Sequence, residues 1–93
     1  MKNLSREEMI SLAVDSYFIS VDHKDINKVL NTMNENIIFS IPTHNIIKNG
    51  KDEVRNMFEK LFTEHKKVWH GDFTHTIDIE SQNLASTFTV KNT

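Results

Sequence analysis

The stretch ENIIFSIPTHNIIKNGKDEV, Glu35 to Val54, decides the fold. From Ile37 to Ile41 every residue but Ser40 is β-branched or aromatic, and Ile37, Phe39 and Ile41 share one face, the period of two that a strand lying on a core requires. Pro42, the chain's only proline, lacks the N–H that a central ladder needs, so the strand stops there. Asn45 to Lys48 forms a second, short extended piece. Asn49-Gly50 then supplies a turn into a helix whose first turn carries Asp52 and Glu53, acids well placed against the helix dipole. Val54, Met57, Phe58, Leu61 and Phe62 give that helix an apolar face, and it ends near Glu64 to Lys67.

Upstream, Ser5-Arg-Glu-Glu8 has the form of a capping box. Met9/Ile10, Ala13/Val14, Tyr17/Phe18 and Val21 follow as one apolar stripe on a helix of about 15 residues. Asp22 or Asp25 can cap a second helix, in which Ile26, Val29, Leu30 and Met33 hold positions i, i+3, i+4 and i+7. Downstream, Phe73, His75, Ile77 and Ile79 share one face of a strand reaching Glu80. Ser81-Gln82-Asn83 is a hairpin turn, and Leu84 to Lys91 alternate again. Clustered helices followed by antiparallel strands define an α+β domain.

At 93 residues the chain makes one domain with a thin core, and two glycines with one proline leave no material for a linker. Eleven basic and 13 acidic residues are mixed along the sequence, so no basic stripe exists to neutralise phosphates and no nucleic-acid partner is expected. No apolar run reaches the roughly 20 residues of a membrane span, and MKNLSREEMI has no signal-peptide core; no membrane partner is expected, and the default compartment is cytoplasmic. Zero cysteines remove disulfides, thiolate zinc sites and cysteine nucleophiles together. No glycine-rich phosphate loop and no G-x-S-x-G elbow occurs, so nucleotide and serine-hydrolase readings have no support; no cofactor is expected.

YFISVDHKDINKVLNTMNENIIFSIP (17–42), GKDEVRNMFEKLF (50–62) and THTIDIESQNLASTFTV (74–90) give the chain a form that resembles the nuclear transport factor 2-like superfamily, in particular its SnoaL-like and ketosteroid isomerase-like members. The resemblance implies a cone-shaped α+β fold, with three N-terminal helices packed on a curved, mostly antiparallel sheet, here shortened by two strands at its C-terminal side. In the isomerases a tyrosine on the first helix works with an aspartate just before a proline on the first strand. A gapless comparison puts these on Tyr17 and Ile41. Isoleucine has no proton to exchange, so Ile41 is expected to be pocket wall. SnoaL-like dehydratases place an aspartate just after the first helix and a histidine on the long third strand, positions that Asp22 and His75 occupy.

His75 thus admits two roles. One is a core imidazole satisfied by a backbone carbonyl or water, and the other is an acid/base group whose tautomer Asp22 fixes. Tyr17 is either stripe core or an oriented hydroxyl, and Asp22 is either cap or partner. Phe39, Ile41, Phe58, Trp69, Phe73 and Phe88 are the expected wall of a pocket for an apolar or cyclic small molecule, Trp69 and Phe73 being able to stack on a planar ligand. His65, His70 and His75 could hold zinc only if a bulge at Gly71 reversed the strand parity between the last two, and no metal is expected. The strand from Leu84 to Lys91 needs cover for its edge, which predicts a homodimer through the sheet; a non-catalytic association module is the alternative to an enzyme.

Overall fold

The computed structural model describes residues 3–93. Helix α1 begins at the expected capping box: the Ser5 hydroxyl accepts the Glu8 N–H at 3.2 Å, and the Glu8 carboxylate accepts the Ser5 N–H at 3.0 Å. It is α-helical over Arg6–Ser11, π-helical over Leu12–Phe18 and α-helical again over Ile19–Asp22. In the π segment the Ile19 N–H reaches the Val14 carbonyl, five residues back. The sequence accounts for it. Met9, Ala13, Tyr17, Val21 and Ile10, Val14, Phe18, Asp22 recur at intervals of four, which a straight α-helix would wind away from the core by about 40° per step. A wider π turn brings the stripe back into phase and leaves Asp22 in line with Phe18.

Helix α2 (Ile26–Asn31) is capped by Asp25, and Pro42 ends β1 (Ile38–Ile41) in a short 3-10 turn. After Asn45, left-handed at φ 55°, β2 (Ile46–Asn49) pairs back on β1 in antiparallel register. Gly50 takes φ 83°, a conformation that favours glycine, and starts the 15-residue helix α3 (Gly50–Glu64). Strands β3 (Val68–Asp78) and β4 (Asn83–Asn92) form a long second hairpin.

The α+β class and this element order agree with the sequence, but the single curved sheet does not form. Two separate two-stranded sheets are present among the described residues, β1-β2 and β3-β4. Between them lies a side-chain core of Val21, Val29, Leu30, Val54, Phe58 and Val68, with Phe39, Met57, Leu61 and Phe62 packed against it. The hairpins are joined by this apolar contact with the helices and share no ladder.

Strand β3 also starts earlier than Phe73 and carries a β-bulge. The register steps from Gly71↔Thr89 to Thr74↔Thr87, so Asp72 and Phe73 oppose the single residue Phe88, and Asp72 is left-handed at φ 55°. The extra residue reverses the alternation: Val68 and His70 before it, and Phe73 and His75 after it, are turned inward. On the opposite face the Trp69 indole lies over Gly71, where a Cβ would come within 2.2 Å of the ring. Gly71→Ala is therefore expected to swing the indole outward at a cost of about 1 kcal/mol. Since Trp69 is the only tryptophan, a red-shifted emission spectrum reports the change directly.

Candidate functional site

The link between α1 and α2 positions the site. The Lys24 N–H donates to the Val21 carbonyl at 3.0 Å and the Asp25 N–H to the Ser20 carbonyl at 2.9 Å, the paired bonds of a Schellman ending. The left-handed residue of that motif is Lys24 at φ 58°, where glycine is usual. Its ammonium crosses to the end of α3 and donates to the Phe62 carbonyl at 2.9 Å and to the His65 carbonyl, groups that a helix end leaves open. The ends of α1 and α3 are thereby tied together, and β3 starts beside them. Asp25 caps α2, its carboxylate accepting the Lys28 N–H at 3.2 Å, which leaves Asp22 for another partner.

That partner is His70. Asp22 Oδ1 lies 2.6 Å from His70 Nδ1, and Asp22 Oδ2 accepts the His70 backbone N–H at 3.0 Å. The two side chains are 15% and 12% exposed, so the contact is largely withdrawn from water. The imidazole packs against Phe18, 4.9 Å away between ring centres, and Phe88 at 5.4 Å, which also touch each other. A carboxylate acceptor on Nδ1 holds the proton there, so the neutral ring carries its lone pair at Nε2. Nε2 has no hydrogen-bond partner among the described residues and is not buried. The arrangement can therefore accept or donate a proton at Nε2 while Asp22 keeps the ring in place.

The pairing of Asp22 with His75 is corrected. His75 lies one bulge further along β3, where its Nδ1 is 2.7 Å from the Oγ of Ser86, its cross-strand neighbour, and its ring stacks on Phe73 at 5.8 Å. Counting alternate residues back from His75 turned His70 outward; the left-handed Asp72 turns it inward. A glycine followed by an aspartate inside a strand was the signal available, because glycine marks bulges and aspartate tolerates the left-handed region. The same bulge brings His70 and His75 to one face, but their Nδ1 atoms face different partners.

The other expected site residues fill space. Phe39 and Phe58 meet edge to face at 5.6 Å, Phe73 and Phe88 close around Phe18 at 5.2 and 4.9 Å, and Ile41 is half-buried at the end of β1. None of these five lines either of two open grooves on the surface. One groove, of about 550 Å³, runs between α1 and α2 past Leu12, Ser16, Ile19 and Thr32. The other, of about 690 Å³, opens onto Asp22 and His70 and is bordered by Ile19, Lys66, Lys67 and Trp69. Trp69, 42% exposed with the Lys91 ammonium 5.2 Å from its ring centre, thus edges a groove on the strand face opposite the pocket wall it was expected to join.

Tyr17 packs its ring on Phe18 at 4.8 Å and Phe58 at 6.4 Å, and burial pushes its hydroxyl well above the usual 10.0. The folded chain holds this proton more tightly than the unfolded chain, so stability must fall as pH rises beyond about 10. Because Tyr17 is the only tyrosine, its tyrosinate absorbance is expected to rise only together with loss of helical circular dichroism. Ionisation near pH 10 with the helices intact would contradict the buried environment.

No protein-family model, curated protein or solved structure matches the chain.

Proposed function

We propose that this chain is a SnoaL-like protein that binds an apolar, cyclic small molecule and carries out acid/base chemistry on it, an isomerisation, dehydration or cyclisation. In this reading His70 moves the proton and Asp22 orients it, and a cytoplasmic setting suits a sequence without cysteine. Support for the family comes from the order helix, helix, short hairpin, helix, long hairpin. One observation carries the chemistry: a carboxylate–imidazole pair at 2.6 Å, both members of which line an open groove, with the second ring nitrogen free of hydrogen bonds among the described residues. Each of these reactions can begin with removal of a proton α to a carbonyl: Nε2 takes the proton, the C–H electron pair forms the new carbon–carbon double bond, and the C=O π pair moves onto the oxygen.

Deuterium exchange tests this without knowledge of the product. A panel of cyclic ketones is incubated with the protein in D2O and the α-carbon signal followed by NMR. At least one ketone is expected to exchange faster than in buffer, and His70→Gln to lower that acceleration by about 100-fold or more. No acceleration across the panel, or equal acceleration by His70→Gln, would overturn the proposal.

A second reading, a non-catalytic association module, is favoured by one specific feature. Strand β4 spans ten residues with a free edge among the described residues, a single charge at Lys91, and Phe88 and Val90 exposed. A homodimer through this strand is expected, and light scattering should shift from dimer to monomer when Thr87 is replaced by proline. A monomer at millimolar wild-type concentration counts against it.

A further inference from the structure

We infer that the groove beside His70 takes a small organic anion, an apolar carboxylic acid, whose carboxylate is held by Lys66 and Lys67. The inference rests on the acid/base reading only in taking His70 as the reacting group.

The groove is lined by three lysines and two histidines against one carboxylate, Asp22, and that carboxylate is already bonded to His70 through both oxygens. In a chain of formal charge -2 this is a local reversal of sign. Of the other cations, Lys28, Lys51, Arg55 and Lys60 each lie beside an acid and Lys91 lies over Trp69, while Lys24 in the groove itself caps α3; Arg6 and Lys48 also lack an ion pair among the described residues but stand singly, on α1 and β2. Lys66 and Lys67 are exposed and take part in no ion pair among the described residues.

Their backbone is nevertheless fixed. The Lys66 N–H donates to the Thr93 carbonyl at 2.7 Å, and the Thr93 N–H donates to the Lys67 carbonyl at 3.0 Å, so two ammonium groups project from an anchored segment. Ile19, Val68 and Trp69 add apolar surface to the same groove. Two free cations beside a short apolar wall match a single carboxylate on a hydrocarbon body; a nucleic acid would need a longer basic track. A carboxylate held at the lysine end leaves the body of the ligand along Ile19 and Trp69, toward His70.

The test compares 1-naphthylacetate with 1-naphthylacetamide, which has the same shape without the charge, and follows the emission of Trp69. The acid is expected to bind about tenfold more tightly than the amide at low salt, with the gap shrinking as salt is added. In the double variant Lys66→Gln/Lys67→Gln the gap should close while the affinity for the amide stays unchanged. Equal binding of acid and amide, binding of neither, or a preference for the acid that survives in the double variant would each overturn the inference. Exchange into neutral ketones is read separately, so loss of the charge preference with His70-dependent exchange intact removes this inference alone, and the converse removes only the acid/base reading.

Discussion

Phe58→Ala is expected to lower the unfolding free energy by about 3 to 5 kcal/mol. Phe58 is 3% exposed and is the only aromatic among the seven buried apolar side chains of the described residues. Its ring meets Tyr17 of α1 at 6.4 Å, Phe39 of β1 at 5.6 Å and Phe62 of α3 at 5.6 Å, so one side chain joins three elements. Removing the ring leaves a gap lined by α1, β1 and α3, whose remaining side chains lose their contacts with it. A chain of this length has roughly 5 to 14 kcal/mol in total, and a thin core places it toward the lower end. Urea unfolding followed by far-UV circular dichroism should show the variant losing most of its folding transition. A loss below about 1.5 kcal/mol would mean that the interior closes around the gap.

Asp22→Ala is expected to cost roughly 2 to 3 kcal/mol, a large effect for one partly exposed residue. It removes the acceptor of two bonds at once, from the His70 ring and from the His70 backbone, and both donors are largely shielded from water. Asp22→Asn keeps one oxygen and should cost less. Stability alone would not distinguish a pair that only fastens α1 to β3 from one that also sets the imidazole tautomer, so the second measurement is the ring's nitrogen NMR. The wild type should show the proton on Nδ1, and Asp22→Ala should redistribute it between the nitrogens. A double-mutant cycle with His70→Ala is expected to return a coupling of about 1 to 2 kcal/mol. Additive losses would show that the two residues stabilise the fold independently.

What the sequence determined by itself was local. The capping box at Ser5, the stop at Pro42, the turn into α3 at Gly50 and the alternation after Phe73 all depend on neighbours a few residues apart, where backbone sterics and apolar periodicity act. What only the tertiary structure decided was non-local. Asp22 and His70 are 48 residues apart, and their meeting depends on three features acting together: the π turn that keeps Asp22 in line with Phe18, the lysine that ties α1 to α3, and the left-handed Asp72 that reverses β3. The π turn and the bulge each shift the chain's phase by a single residue or less, and the lysine fixes the two helix ends between them. Because a strand's faces alternate with every residue, one such shift exchanged His75 for His70 as the partner of Asp22 while leaving the order of the elements unchanged.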